Sequence, residues 1–153
     1  MSIKQSSLQI LLDHAQKQSD DAAKKLGLLT SHVQKAEQKL NLLLEYRHSY
    51  QSNFQDSAKN GVNQVSWLNF NAFMKKLDTA IAEQRQNVEN ANNNRKVGGT
   101  EFRLRQSKLK SYDTLSKRQQ QTEIQQQIKA EQKEQDEFAS NISSHNQRTP
   151  KSK

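Results

Sequence analysis

The side chains that could catalyse a reaction or bind a metal ion are few and widely spaced in this chain. Its 153 residues include no cysteine and four histidines, His14, His32, His48 and His145. None of the histidines lies four residues from another, which is the spacing of a helical zinc pair. The sequence has no glycine-rich phosphate loop and no nucleophile elbow. We therefore predict that the protein is not an enzyme and has no metal or other cofactor.

Positive charge is concentrated in one stretch of the chain. The 24 Lys and Arg residues outnumber the 16 Asp and Glu residues, which gives a formal net charge of +8. The basic residues are densest between Arg95 and Arg118, where the acidic residues are Glu101 and Asp113. This excess favours an acidic protein surface or a polyanion as partner. Nucleic acid binding is kept as an alternative only, because the stretch has no zinc finger, helix-turn-helix or basic-zipper pattern.

Aromatic residues cluster on both sides of Asn60-Gly61, and they are Tyr46, Tyr50, Phe54, Trp67, Phe70 and Phe73. Four of them occupy apolar heptad positions and are predicted to be core residues. Tyr46 and Phe73 border those positions, three residues after Leu43 and four before Leu77. They form a candidate docking surface, and the alternative is that they only widen the core.

Two apolar stripes with a repeat of 3.5 residues dominate the rest of the sequence. The first covers residues 8–54 and is broken only by Ser19 and Arg47, and the second, weaker stripe covers residues 67–112. This repeat is typical of helices that supercoil around each other. The fold class is therefore predicted to be all-α, a long two-helix antiparallel coiled coil that forms a helical hairpin.

Folding the chain at Asn60-Gly61 predicts which positions meet. The expected pairs are Phe54 with Trp67, Tyr50 with Phe70, Leu43 with Leu77, Leu8 with Tyr112, and Gly98 with Ala22. The adjacent glycines Gly98 and Gly99 weaken the second helix. We expect them to allow a close approach of the two helices, with a functional hinge as the alternative.

The predicted hairpin occupies residues 1–142. It consists of a helix over 3–56, a connection over 57–65 that contains Gly61, and a helix over 66–142 with Ser66 as its N-cap. Beyond Tyr112 the apolar spacing changes, and it resumes at Ile124, Ile128, Phe138 and Ile142. About 25 residues of the second helix are expected to overhang the first by about 40 Å, at 1.5 Å per residue. Residues 143–153 are predicted to be a disordered tail.

The composition also indicates where the protein acts. No apolar run approaches the roughly 20 residues that span a bilayer, and no signal peptide is recognisable. The lack of cysteine fits a reducing compartment. We therefore predict a cytoplasmic protein without a membrane span.

The residues around the turn resemble the FliJ family. The resemblance is carried by residues 42–50, Asn60-Gly61, residues 67–73 and residues 77–81, whose tyrosine, turn and Trp-to-Phe elements keep the family's separations. It extends at lower density over residues 20–139. FliJ is a soluble component of the bacterial flagellar type III export apparatus. The resemblance implies a coiled coil similar to the stalk subunit of rotary ATP synthases.

The resemblance also implies partners. A FliJ protein inserts into the hexameric export ATPase FliI, promotes its assembly, contacts the export gate protein FlhA, and escorts export chaperones at the cytoplasmic face of the export apparatus. The family's gate-binding surface maps onto Lys39, Leu43, Tyr46, Tyr50, Phe73, Leu77, Ala80 and Gln84. The open end of the hairpin would enter the ATPase ring with Arg95, Arg103, Arg105, Lys108 and Lys110. A scaffold or secretion chaperone of a related type III system is the other alternative.

Overall fold

The computed structural model describes residues 3–148, and these residues form two helices. Helix α1 spans Ile3–Ala58 and helix α2 spans Gln64–Arg148. No strand occurs among the described residues, and the predicted all-α helical hairpin is confirmed. Helix α2 includes residues 143–148, which the sequence predicts to be part of a disordered tail, while residues 149–153 lie outside the described part of the chain.

Contacts group the chain into two units. The turn unit is Lys17–Gln106, which contains the connection between the helices. The terminal unit consists of the described residues of Met1–Gln16 and Ser107–Lys153. The assignment of residues 1–142 to a single domain stays a prediction. In the part of the chain that the structure describes, no helix has the length and apolar character needed to cross a membrane.

The predicted heptad positions of α1 are its shielded positions. Ala15, Ser19, Ala22 and Val33 are buried, and the other stripe positions between residues 8 and 54 are half-buried. Ser19 is only 5% exposed although it is polar. A small hydroxyl side chain fits the narrow space between two helices, so this break in the stripe does not interrupt the seam.

The shielded positions of α2 follow the same repeat. Met74, Leu77, Ile81, Gln84 and Gly98 are buried, and the repeat continues with half-buried residues to position 123. The seam positions after residue 112 are 116, 119 and 123, which are Ser, Gln and Glu. The predicted change of spacing after residue 112 is therefore a change of residue type, because the seam keeps its period and becomes polar.

The register near the turn differs from the predicted one. Phe54 stacks on Phe70 with 3.9 Å between the ring centroids, whereas the predicted partner Trp67 is 54% exposed. The prediction that Trp67 is a core residue is therefore wrong. The predicted contact between Tyr50 and Phe70 is present, at 5.6 Å. The pairs of Leu43 with Leu77 and of Leu8 with Tyr112 stay predictions.

Gly98 also lies against a different part of α1 than expected. A Cβ atom added to Gly98 would lie 2.6 Å from Cδ1 of Leu29 and 3.8 Å from Cδ1 of Leu26, and Ala22 is not among its near neighbours. The expected contact with Ala22 is wrong by one to two helical turns, since Leu26 and Leu29 lie four and seven residues after Ala22. The close approach of the helices at Gly98 is nevertheless present, since leucine side chains occupy the space that a side chain on residue 98 would need.

The connection between the two helices is short and has two defined features. Gly61 has a φ of 97°, and its N–H donates to the carbonyl of Ala58 at 3.0 Å. Asn63 is the N-cap of α2 in place of Ser66, because its Oδ1 accepts a hydrogen bond from the Ser66 N–H at 2.7 Å. The chain therefore reverses between residues 59 and 63, a segment centred on Gly61.

Candidate docking surface near the turn

Five aromatic rings from the end of α1 and the start of α2 form one cluster in the turn unit. Phe70 lies between Phe54 and Tyr50, stacked on both. Tyr50 also contacts Phe73 at 4.5 Å, and Tyr46 lies 6.0 Å from Phe73 in an edge-to-face arrangement. Such pairs contribute about 0.5–1.5 kcal/mol each beyond the area they bury. The cluster therefore connects the two helices beside the turn and orients Tyr46.

Tyr46 is the ring through which this cluster reaches solvent. It is 53% exposed, while Phe73 is half-buried. Leu42 precedes Tyr46 by one helical turn and is 65% exposed, so it extends the apolar surface on the same side of α1. We call the surface formed by Leu42, Tyr46 and Phe73 the aromatic flank. The predicted position of Tyr46 and Phe73 at the border of the seam agrees with this geometry.

Leu42 is the member of the aromatic flank that the sequence-based prediction missed. The signal for it was present in the run Leu42-Leu43-Leu44, because only one of three consecutive residues can occupy a seam position. Leu43 takes that position and is half-buried. Its neighbours must therefore lie on the two sides of the seam, where Leu42 is exposed and Leu44 is half-buried.

The eight residues predicted to bind the export gate all lie in the turn unit, at different depths. Lys39 and Tyr46 are exposed, Leu43, Tyr50, Phe73 and Ala80 are half-buried, and Leu77 and Gln84 are buried. The buried members belong to the helix seam. Only the other six offer surface to a partner while the two helices stay together.

Gln84 has a structural role in the seam. It is 5% exposed, its Nε2 donates to the carbonyl of Ala36 at 2.9 Å, and its Oε1 accepts a hydrogen bond from Nδ2 of Asn87 at 3.2 Å. Both ends of the side-chain amide are thus hydrogen-bonded, which offsets the cost of burying it. The bond to the α1 backbone favours one register of the two helices.

Arg47 and Asp78 form a second polar link across the helices. Nε of Arg47 donates to Oδ1 of Asp78 at 2.7 Å, and Nη1 of Arg47 donates to Oε1 of Gln51 at 3.4 Å. The Arg47 and Asp78 side chains are 35% and 54% exposed. At this exposure a salt bridge contributes at most about 1 kcal/mol. Arg47 was predicted to interrupt the stripe, but its partner could not be predicted because the pairing depends on the register.

The five basic residues predicted to contact an ATPase ring are divided between the two units. They are Arg95, Arg103 and Arg105 in the turn unit, and Lys108 and Lys110 in the terminal unit. Arg95 and Arg105 are half-buried and the other three are exposed. Nη1 of Arg105 donates to Oε1 of Gln18 at 3.0 Å. Arg105 therefore contributes to the seam within its own unit.

Metal-binding clusters and surface grooves are the other features by which residues 3–148 could bind a ligand. Within these residues, no group of three or more His, Cys, Asp or Glu side chains is arranged to hold a metal ion. A groove of the turn unit opens broadly to solvent and is lined by Leu40, Arg85, Val88, Glu89, Asn92, Asn93 and Lys96. The aromatic flank is the surface whose exposed apolar character and rigid support best fit protein recognition.

Comparison with known proteins gives relatives that match most of the chain. The family model for the flagellar FliJ protein matches residues 4–148. The flagellar FliJ protein of Escherichia coli K12 is 29% identical over 133 residues, which are 87% of this chain and 90% of that protein. The flagellar FliJ protein of Salmonella typhi is 31% identical over the same shares of both chains.

The fold also resembles that of a solved structure. CT670 of Chlamydia trachomatis, described as a YscO homolog, matches with a TM-score of 0.68 and 16% sequence identity. The match covers 95% of this chain and 94% of CT670. At this identity the likeness concerns the fold alone.

Proposed function

The chain belongs to the flagellar FliJ protein family, and on this premise we propose that it inserts into the hexameric export ATPase FliI, promotes its assembly, and links it to the export gate protein FlhA. The protein is a component of the flagellar export apparatus. In this proposal it also escorts export chaperones and acts peripherally at the cytoplasmic face of the apparatus. It has no active site of its own and acts by biasing the hydrolysis cycle of the ATPase.

The observation that carries the link to the gate is the aromatic flank. Tyr46 is 53% exposed and belongs to the cluster of packed rings, and Leu42, one helical turn before it, is 65% exposed. Exposed apolar groups on a rigid support favour binding, because little side-chain freedom is lost when a partner docks. Tyrosine is also a frequent hot-spot residue in protein interfaces.

The link to the ATPase is supported by charge. Lys108 and Lys110 are exposed in the terminal unit, and Arg103 is exposed in the turn unit. Exposed basic side chains steer association with an acidic surface and help to select the partner. Through contacts at the ring and at the gate, the protein couples ATP hydrolysis to the use of the proton motive force for export.

The substitution Tyr46→Ala tests the gate contact. It removes an exposed ring, so we expect binding to the purified cytoplasmic part of the gate protein to weaken at least about tenfold, which corresponds to about 1.4 kcal/mol. Titration calorimetry measures the affinity, and circular dichroism should show unchanged helix content. Tyr46→Ala is a sharper test than Phe73→Ala, because Phe73 also packs against Tyr50.

Leu28→Ala is the matched control, because Leu28 is an exposed apolar residue of the same unit, at 65% exposure, outside the aromatic flank. It should bind the gate as the unchanged protein does. Equal weakening by the two substitutions would contradict a specific flank contact, and unchanged binding by Tyr46→Ala would remove the flank from the proposal.

A pull-down scored for a hexameric ATPase separates this proposal from its alternatives. We expect recovery of the ATPase hexamer. A scaffold of a related type III system would instead recover export substrates. A nucleic-acid-binding protein would recover nucleic acid, with an affinity that falls steeply as the salt concentration rises.

A further inference from the structure

A separate apolar stripe lies on α2 beyond its described contacts with α1. In the terminal unit Gln5 of α1 hydrogen-bonds to Glu123 of α2, and every described residue after position 123 is exposed. Four large apolar residues lie in this segment, Ile124, Ile128, Phe138 and Ile142, and their exposures are 57%, 49%, 68% and 47%. We call these four residues the terminal stripe.

The terminal stripe has the spacing of a coiled-coil seam. Positions 124, 128, 131, 135, 138 and 142 alternate steps of four and three residues, and Glu131 and Gln135 occupy the two middle positions. The stripe is displaced by one residue from the α1-facing position 123, which is a rotation of about 100° around the helix. A helix gains most of its stability from packing an apolar face, and a 3.5-residue repeat suits another helix as the packing partner.

We propose that the terminal stripe packs against the terminal stripe of a second copy of this chain, in antiparallel orientation. The pattern is symmetric about Lys133, since positions 124 and 142 are equally far from it, as are 128 and 138. A two-fold axis there places Ile124 against Ile142 of the other copy and Ile128 against its Phe138. Such an interface is isologous, with the same patch used by both copies.

The polar residues of the segment favour the antiparallel orientation. Antiparallel pairing places Glu131 opposite Gln135 of the other copy, where a hydrogen bond between the side chains is possible. Parallel pairing in register would place Glu131 opposite Glu131, and two like charges would then be held together in the seam. The antiparallel arrangement is therefore the one in which no seam position meets a like charge.

The positions beside the seam carry too few charged residues to select a different helical partner. The residues directly beside the seam are Gln125, Gln127, Gln132, Glu134, Ala139 and Asn141. Charged residues at such positions usually select the partner of a coiled coil, and here only Glu134 is charged. Four apolar residues per copy form a small patch, below the roughly 1,200 Å² of stable interfaces. We therefore expect a weak dimer that depends on protein concentration.

Sedimentation velocity of the full chain over a range of concentrations tests the dimer. The sedimentation coefficient should rise with concentration, and Ile128→Asp should abolish the rise. Ala130→Asp is the matched control, because Ala130 is exposed and lies on the far side of the helix from Ile128. Glu131→Leu should lower the dissociation constant of the dimer at least about tenfold, since it replaces a charged seam residue with an apolar one in each copy. A chain that stays monomeric even with Glu131→Leu would overturn the proposal.

The orientation is tested by spin-label distances. The chain has no cysteine, so single cysteines at Lys133, Ser140 and Gln147, which point away from the seam, give unique labels. Antiparallel pairing predicts axial separations between equivalent labels of about 0, 21 and 42 Å, from 1.5 Å per residue in each copy. Equal distances for all three labels would indicate parallel pairing and overturn the antiparallel arrangement. Ile128→Asp should remove the distances altogether.

Discussion

Gly27 and Gly99 lie inside long helices at places where a methyl group has room. A Cβ atom added to Gly27 would have no neighbour within 4 Å, and one added to Gly99 would lie 4.0 Å from Nη1 of Arg103. Glycine is less favourable than alanine inside a helix by about 1 kcal/mol. Each of the substitutions Gly27→Ala and Gly99→Ala should therefore stabilise the protein by about 1 kcal/mol, which raises the Tm by about 2–4 °C for a chain of this size.

Gly98→Ala should behave differently, because a Cβ atom there would lie 2.6 Å from Cδ1 of Leu29. The atom is the end of a flexible side chain, so Leu29 can move, but repacking a tight contact costs about 1–3 kcal/mol. This cost offsets the helix gain, and the Tm should stay unchanged or fall by a few degrees. Thermal unfolding followed by far-ultraviolet circular dichroism ranks the variants, with Gly99→Ala above the parent chain and Gly98→Ala at or below it.

Gly61→Ala should destabilise the protein, in contrast to Gly27→Ala and Gly99→Ala, since Gly61 has a φ of 97°. A side chain in this left-handed region costs about 1–2 kcal/mol, so the Tm should fall. If Gly98→Ala stabilised the protein as much as Gly99→Ala, the close approach of Leu29 to Gly98 would be refuted. The hinge alternative is tested with the same proteins, because a hinge requires Gly99→Ala to reduce stimulation of the ATPase even though it stabilises the helix.

Two further substitutions test the turn and the register by urea unfolding. Asn63→Ala should lower the free energy of unfolding by about 1 kcal/mol because it removes the N-cap of α2, whereas Asn63→Asp keeps an acceptor oxygen and should retain most of the stability. Phe54→Ala should cost about 3 kcal/mol because its ring stacks on Phe70, and Trp67→Ala should cost less than about 1 kcal/mol because Trp67 is 54% exposed. An equal cost for Phe54→Ala and Trp67→Ala would instead support the pairing of Phe54 with Trp67 that the two stripes predict.

The heptad repeat was sufficient to predict the seam because it depends only on local spacing. Every stripe position of α1 between residues 8 and 54 is buried or half-buried, including Ser19 and Arg47. The period of an α-helix determines which residues share a face, whatever their polarity. The same reasoning continued past residue 112 would have placed Ser116, Gln119 and Glu123 in the seam.

The register could not be predicted from the two stripes alone. Moving one stripe past the other by a single turn leaves apolar positions opposite apolar positions, so the match is almost equally good. The choice depends on which side chains pack across the helices, such as Phe54 on Phe70 and Leu29 on Gly98, and the stripes do not specify these pairs. Trp67 was misplaced for this reason.

The sequence could predict which positions belong to the candidate site, but it could not predict how deeply each side chain is buried. Spacing placed Tyr46 and Phe73 beside the seam, but the depth of each side chain depends on what the other helix presents there. Leu77 and Gln84 were assigned to the gate surface by resemblance, and both are buried. Their influence on gate binding is therefore expected to act through the positions of Tyr46 and Phe73.

The two units differ in what holds their helices together. The turn unit has a cluster of stacked aromatic rings, whereas the seam of the terminal unit consists of the apolar Leu8, Leu12, Ala15, Leu109 and Tyr112 followed by the polar Ser116, Gln119 and Glu123. Apolar burial supplies most of the stability of packed helices, so segments with little of it separate at a low free-energy cost. The aromatic flank thus lies on the more stable unit, which suits a fixed docking surface. We expect the helices of the terminal unit to separate first at the polar positions of its seam.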